Sequence, residues 1–109
     1  MRSEQERLDD ILQAIIRIKQ YTAKHIFERD KLTQDGILYQ LLIIGEAVRS
    51  LPSDFREKYA YIPWTSIIGM RNILIHEYFA INIEIVWGVV AQKLPELSDN
   101  IKKILKQIS

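Results

Sequence analysis

Hydrophobic residues recur at steps of three and four along most of the chain, which is the spacing of one face of an α-helix. The first helix is predicted from Ser3 to about Ile26, with apolar positions at Leu8, Ile11, Leu12, Ile15 and Ile18. The polar segment Glu28–Gln34 predicts a turn. A second helix is expected from about Thr33 to Ser50, and Pro52 is expected to end it because proline cannot continue a helix.

The second half of the chain predicts a short helical turn and two longer helices. The short turn covers Ser53–Tyr59, with Ser53 as its N-cap. Pro63 marks the next boundary, and a third helix is expected over roughly Trp64–Phe79. Asn82 is a good N-cap for a fourth helix, which Pro95 is expected to break or restart before its apolar face continues to the end of the chain.

These elements predict an all-α protein, an up-and-down four-helix bundle with a short extra helix. The stretch ILIHEYFAINIEIVWGVV is rich in β-branched and aromatic residues, and this composition alone would also allow a β-hairpin around Asn82. The helical interpretation is preferred because helical spacing persists to Leu94.

Gly45 lies inside the second helix at a cost of about 1 kcal/mol relative to alanine, which predicts close approach of another helix.

Composition narrows the class of protein without naming a function. With 109 residues, 48% hydrophobic and 27% charged, the chain is expected to form a single domain, residues 1–109. A net charge of +1 gives no general attraction to nucleic acid or membrane, so any RNA contact must be local. The absence of cysteine excludes disulfides and thiolate metal sites. Neither a signal peptide nor a membrane span is recognisable, which predicts a cytoplasmic protein.

The third predicted helix is apolar around its whole circumference, so it is expected to be buried on all sides, within the bundle or at a subunit interface. It nevertheless carries Arg71, Asn72 and His76. On an ideal helix Arg71 and Tyr78 share one stripe, Asn72 and His76 share another, and Arg71 lies about 140° from His76. Either the helix distorts, or two copies of the chain pool these residues across a two-fold axis.

The segment Arg71–Tyr78 resembles the R-x4-H-x-Y signature of HepT-like toxins, which belong to the HEPN group of helical ribonucleases. The resemblance extends from about Leu8 to Leu105. Its flanking runs are Gly45-Glu46-Ala47, Ile62-Pro63-Trp64, Gly69-Met70-Arg71-Asn72 and Leu94-Pro95-Glu96-Leu97.

The resemblance implies a HEPN-like homodimer in which the two motif helices form a cleft that cuts single-stranded RNA without metal or cofactor. It makes Arg71 and His76 the catalytic pair. It also implies a partner, a minimal nucleotidyltransferase antitoxin, which transfers AMP to Tyr78 and forms a hetero-oligomer with the dimer.

The chemistry of these residue types fits RNA cleavage on independent grounds. RNA supplies its own nucleophile, the 2′-hydroxyl beside the scissile phosphate. Histidine can move a proton near neutral pH, and arginine binds phosphate oxygens through a planar fork of donors. Asn72 could orient His76 or donate to a phosphate oxygen. Glu46, in an otherwise apolar helix, could bond Arg71, as a structural partner of the site, or a backbone group.

Structural interpretations of the same residues stay open at this point. His76 could be a core histidine bonded to a carbonyl, and Arg71 could simply pair with Glu46 or Asp35. Tyr78 could be an interface aromatic. Two other functions fit as well: a non-catalytic RNA- or nucleotide-binding subunit of a nucleotidyltransferase, or a purely structural dimer module. Three other groups are expected to be structural, namely the core tryptophans Trp64 and Trp87, the helix-end residue His25, and a solvated lysine face, Lys102, Lys103 and Lys106.

Overall fold

Helices make up nearly all of the structure, a computed structural model that describes residues 2–108. The first and last residues of the predicted domain 1–109 lie outside the described residues. The helices are α1 (Glu4–Lys24), α2 (Lys31–Arg49), α3 (Ser53–Lys58), α4 (Trp64–His76), α5 (Ile83–Gly88) and α6 (Leu94–Ile108). A 3₁₀ turn, Tyr78–Ala80, follows α4, and a π-helical segment, Val89–Lys93, joins α5 to α6. The described residues contain no strand, so the all-α prediction is confirmed and the hairpin alternative is wrong.

Polar side chains fix the starts of the first two helices. The Ser3 hydroxyl accepts a hydrogen bond from the Glu6 amide at 3.1 Å, and the Glu6 carboxylate accepts one from the Ser3 amide at 2.9 Å. This reciprocal pair satisfies two amides that the helix itself leaves free. Asp30 accepts from the Thr33 amide at 3.2 Å. This cap starts α2 at Lys31, two residues before the predicted start at about Thr33.

The later helix starts give one confirmed cap and one correction. Asn82 accepts hydrogen bonds from the amides of Glu84 and Ile85, as an N-cap does, so that prediction is confirmed. The Ser53 N-cap is wrong. Pro52 occupies the cap position and Ser53 is the first helical residue, with no side-chain cap bond. The carbonyl of Pro52 accepts the first helical hydrogen bond, from the Arg56 amide at 3.1 Å, so the helix starts there without a side-chain cap.

Pro95 neither ends the last helix nor separates it into two. The chain remains helical from Ile83 to Ile108, but it widens into a π turn just before the proline, where the Leu94 amide donates to the carbonyl of Val89. A proline in a regular α-helix lacks its amide and collides with the carbonyl four residues earlier. The wider turn relieves that collision, which is a common role of a π-bulge.

The core lies where α2 packs against both α1 and α4, while α6 packs on α1. Its side chains are almost entirely aliphatic, and the fully buried ones include Leu8, Ile11, Ile37, Leu41, Ile44, Ile101 and Ile104. Trp64 is buried as predicted, and its indole N–H donates to the carbonyls of Arg56 and Tyr59. Trp87 is only half-buried and stacks on Phe27, with ring centroids 5.1 Å apart.

Helix α4 is not buried on all sides within one chain, so that expectation is wrong for the single chain. Trp64 is its one buried residue, and Ile73 and Ile75 remain 42% and 38% exposed. One side of α4 packs on α2, but an open groove separates its other side from α5 and α6. One chain therefore has too few helices to cover the apolar circumference of α4.

Candidate active site

Gly45 brings α2 and α4 into direct backbone contact at Arg71. A Cβ atom on Gly45 would overlap the Cβ of Arg71 and would lie 2.9 Å from its Cγ. The predicted close helix approach at Gly45 is therefore confirmed, and its partner is the arginine of the motif. Because the base of the Arg71 side chain lies against α2, its guanidinium extends along that helix to the next residue, Glu46.

The guanidinium of Arg71 is held by two polar partners. Its Nε donates to Oε1 of Glu46 in a short ion pair, and its Nη1 donates to Oδ1 of Asn72 at 2.9 Å. Asp35 lies within 3.8 Å of Lys31, so Glu46 is the acid that pairs with Arg71. The Arg71 side chain is 13% exposed and that of Glu46 is 45% exposed. Two of the five guanidinium N–H donors are used, and the others can still bind an oxyanion.

His76 is the last residue of α4 and its side chain is exposed. It makes no hydrogen bond to another described residue, so both ring nitrogens can reach a ligand. The interpretation of His76 as a core histidine is therefore wrong. Asn72 precedes it by one helical turn on the same exposed face, and its amide nitrogen can donate there while its oxygen holds Arg71.

Helix α4 keeps its α-helical hydrogen bonding from Trp64 to His76, so Arg71 and His76 still project about 140° apart. Arg71 faces α2, whereas His76 faces solvent. A distortion of the helix does not bring the two side chains together. Within a single chain, the guanidinium and the imidazole thus belong to two different faces of the same helix.

Tyr78 does not share a helical stripe with Arg71, which corrects the sequence interpretation. The helix ends at His76 because Glu77 takes φ −133° and ψ 41°, outside the helical region, and a 3₁₀ turn follows. Tyr78 is 73% exposed and packs edge-to-face on Phe79, with ring centroids 6.0 Å apart. Its phenol oxygen is consequently open to solvent two residues beyond the imidazole.

The open groove between α4 and the α5–α6 rod has a volume of about 800 Å³. We call it the α4–α6 groove. Its lining is mainly aliphatic, and Ile73 and Ile85, which is 67% exposed, stand at its surface. The apolar surface predicted on α4 is present in this groove, whereas the exposed Ile85 was not predicted from the sequence. Ile85 is one of three apolar residues in the first turn of α5, and only Val86 of that turn is buried. The surplus of apolar residues was the sequence signal that Ile85 would be exposed.

Residues 2–108 contain no group of three or more His, Asp or Glu side chains arranged to hold a metal ion. No helix in the same range combines the length and the apolar character needed to cross a membrane.

The all-helical fold is consistent with a HEPN-type helical domain, and the R-x4-H-x-Y residues lie on the second half of α4 and in the turn that follows it. The chain belongs to the Ribonuclease HepT-like family, whose profile matches residues 11–104. That range includes every side chain of the candidate site.

Relatives of similar length support the same family. The protein named "Probable ribonuclease HepT" of Thermococcus cleftensis is 37% identical over 108 residues, covering 96% of this chain and 98% of that protein. "Putative RNase MJ0127" of Methanocaldococcus jannaschii is 41% identical over 104 residues, covering 93% and 86%. A longer relative from that organism, "Gamma-glutamylcyclotransferase and putative RNase MJ0434", is 39% identical, but the chain spans only 47% of its length. No solved structure matches the chain significantly.

Proposed function

We propose that the protein is a metal-independent endoribonuclease toxin that cuts single-stranded RNA as a homodimer. The observation that carries the proposal is the presence on one helix, α4, of a carboxylate-anchored Arg71 and an exposed, unbonded His76, in a chain of the Ribonuclease HepT-like family. Arginine binds the phosphate and histidine moves protons, so the two side chains supply complementary parts of one reaction.

The proposed reaction is transfer of the phosphoryl group to the neighbouring 2′-hydroxyl. His76 takes the proton of that hydroxyl, its oxygen bonds to phosphorus, and the bond to the 5′ oxygen of the next nucleotide breaks. The departing oxygen takes up a proton from solvent water, which leaves a 2′,3′-cyclic phosphate and a 5′-hydroxyl. Arg71 stabilises the negative charge that grows on the phosphate oxygens, and Asn72 adds a neutral donor beside it.

A second copy of the chain completes the proposed site. Arg71 and His76 diverge on one helix, and α4 exposes apolar side chains along the α4–α6 groove. A dimer that covers this groove would bury Ile73 and Ile85 and bring two α4 helices together. Each cleft could then combine polar side chains from both copies.

Regulation is proposed to act through Tyr78 and a nucleotidyltransferase antitoxin. The Tyr78 phenol is 73% exposed, so an enzyme could reach it. Transfer of AMP would attach a phosphate and a nucleoside two residues from His76. The added negative charge repels an RNA phosphate, and the added bulk occupies the space that RNA needs. The ATP and Mg²⁺ for this transfer belong to the partner.

One observation favours a second function, a non-catalytic RNA- or nucleotide-binding subunit. The net charge is only +1, and an efficient RNA enzyme ordinarily gains affinity from many phosphate contacts. In this alternative the same residues bind the ligand without cutting it. A purely structural dimer module, the third hypothesis, would use Arg71 and Glu46 only to fasten α4 to α2.

The deciding experiment incubates the purified protein with single-stranded RNA in EDTA. We expect cleavage by the wild type and its loss in His76→Ala, with helicity and oligomeric state retained. The matched control is His25→Ala, since His25 is the chain's other histidine and lies beside Asp30 at the far end of α1. Equal cleavage by His76→Ala would contradict the assigned role, and RNA binding without cleavage by the wild type would favour the binding subunit.

A further inference from the structure

A second, smaller groove lies between α1 and α2 on the other side of Glu46. Its volume is about 320 Å³, at the lower end of the range of small-molecule pockets. Helix α1 contributes Arg7 and Asp10 to its wall, and α2 and its C-cap contribute Tyr39, Glu46 and Ser50. We call it the α1–α2 groove. Because the Glu46 carboxylate both lines this groove and binds Arg71, the groove begins directly beside the candidate active site.

The charges around the α1–α2 groove leave one arginine free. Asp10 accepts hydrogen bonds from the guanidinium of Arg2 at 2.7 and 2.6 Å, and Glu46 is paired with Arg71. Both acids in the wall are thus neutralised by other residues. Arg7 is half-buried and forms no ion pair with any acid of residues 2–108. Among the residues of the wall, the Arg7 guanidinium is therefore the charge that is not engaged in an ion pair, and it can bind a phosphate.

An exposed aromatic ring completes the lining. Tyr39 is 61% exposed, although it lies in the middle of α2, where the core-facing residues Ile37 and Leu41 are fully buried. An exposed aromatic beside a free arginine is the pairing by which proteins bind single-stranded nucleic acid, with a base stacked on the ring and a phosphate on the cation. The Ser50 hydroxyl, at the end of the same groove, can bond a ribose hydroxyl or a base edge.

We propose that the α1–α2 groove is a nucleotide subsite for the RNA strand that passes through the active site. Arg7 binds a phosphate that flanks the scissile one, and Tyr39 stacks on the attached base. The strand then runs from the Arg71 guanidinium over Glu46 and into the groove. This assignment rests on the proposed function, since it takes RNA as the ligand. It explains how a nearly neutral protein can hold RNA, because the cation is local.

The test measures binding of a fluorescein-labelled oligouridylate by fluorescence anisotropy, in a His76→Ala background that prevents cleavage. Arg7→Gln is expected to weaken binding about tenfold and to make the slope of log affinity against log salt less negative by about 0.7, the effect of one lost phosphate contact on a single strand. Tyr39→Leu is expected to weaken binding about tenfold as well, because a stacked base is lost.

Two control variants separate the subsite from a general effect. Tyr39→Phe keeps the ring and should bind like the parent. Arg17→Gln removes an exposed arginine of α1 outside the groove and should leave both affinity and salt slope unchanged. A thermal melt of each variant shows that it is folded. If Arg7→Gln and Tyr39→Leu bind as tightly as the parent, the subsite is overturned, and loss of affinity in Arg17→Gln equal to that in Arg7→Gln overturns it too.

The subsite and the ribonuclease activity can fail separately. A cleavage assay with His76 intact reports the activity, whereas the anisotropy reports the subsite. Binding that depends on Arg7 and Tyr39, together with no cleavage by the intact protein, supports the subsite and contradicts the ribonuclease. Cleavage by the intact protein, together with an anisotropy affinity that is indifferent to both substitutions, supports the ribonuclease and overturns the subsite.

Discussion

Gly45 and Arg71 form the contact that joins the scaffold to the candidate active site. A methyl group on Gly45 has no room, because it would overlap the Cβ of Arg71. The nearest atom it would meet is the Cβ of Arg71, whose position is fixed by the backbone of α4, so rotation of the side chain cannot make room. The glycine thus sets the distance between α2 and α4, and the adjacent Glu46 receives the guanidinium at the end of the same side chain.

The first prediction concerns Gly45→Ala. Alanine gains about 1 kcal/mol of helix propensity over glycine, but forcing a methyl into a filled contact costs about 1–3 kcal/mol and displaces α4. We expect a net loss of stability in urea denaturation and a loss of RNA cleavage. Gly88→Ala is the control, because a Cβ there meets nothing within 4 Å and should stabilise the protein slightly. Stabilisation by both substitutions would contradict the packing argument.

The sequence was sufficient for features set by local chemistry. Asn82 begins a helix because its short side chain caps backbone amides, and that signal lies within four residues. The close approach at Gly45 was predicted because an interior glycine in an apolar helix needs a packing reason. The identity of the neighbour was beyond such reasoning, since Arg71 is separated from Gly45 by a loop, a short helix and part of α4.

The sequence was insufficient where tertiary packing decides the backbone. Apolar and aromatic residues continue past His76 without a glycine or proline, so the pattern predicted a helix to Phe79. The structure instead leaves the helix at Glu77, which moves Tyr78 off the Arg71 stripe. The α4–α6 groove was also beyond prediction, because it depends on which helices remain uncovered after α2 has packed on both α1 and α4.

A second prediction treats Glu46 as a positioning residue for Arg71. Glu46→Ala removes the acceptor of the Nε donor, so the guanidinium should lose its fixed orientation and kcat for RNA cleavage should fall about tenfold. Loss of the ion pair also costs about 1 kcal/mol of stability, since the Glu46 side chain is 45% exposed and water screens the pair. Glu46→Gln keeps an acceptor oxygen and should recover most of kcat.

The recovery in Glu46→Gln separates positioning from simple stability. Glu57→Ala, on the exposed side of α3, is the control and should alter neither kcat nor the melting temperature. Unchanged kcat in Glu46→Ala would show that Arg71 needs no help from the carboxylate.

A third prediction places the homodimer on the α4–α6 groove. Ile85→Asp puts a charge on an apolar surface that a second copy would cover, and burial of an unpaired carboxylate costs several kcal/mol. We expect sedimentation to show a monomer that no longer cuts RNA. Leu32→Asp is the control, since Leu32 is 82% exposed on α2 and does not line that groove. A dimeric Ile85→Asp, or a monomeric Leu32→Asp, would place the interface elsewhere.

A fourth prediction concerns stability at acid pH. The Thr33 amide, with a smaller contribution from His25, lowers the pKa of Asp30 below its ordinary value. A carboxylate with a lowered folded-state pKa stabilises the protein above its unfolded-state pKa, and this contribution disappears as pH falls through the folded value.

Asp30→Asn keeps a capping oxygen without titrating, so the difference in unfolding free energy between this variant and the wild type should narrow on acidification. Asp30→Ala removes the cap and should destabilise α2 at every pH. A gap in urea midpoint between wild type and Asp30→Asn that stays constant with pH would contradict the cap's titration.

The last prediction concerns modification of Tyr78. Incubation with ATP, Mg²⁺ and the cognate nucleotidyltransferase is expected to add the mass of one adenylyl group and to abolish RNA cleavage. Tyr78→Phe lacks the acceptor oxygen and should stay unmodified and active. Tyr61→Phe is the matched control and should be modified like the wild type. Tyr61 is also well exposed, at 58%, but it precedes α4 in the sequence, whereas Tyr78 follows that helix. Intact-mass spectrometry distinguishes the outcomes, and equal modification of Tyr78→Phe and wild type would assign the acceptor to another residue. Since the phenol already faces solvent, the transfer needs no unfolding of α4, so His76→Ala should be modified as readily as the parent.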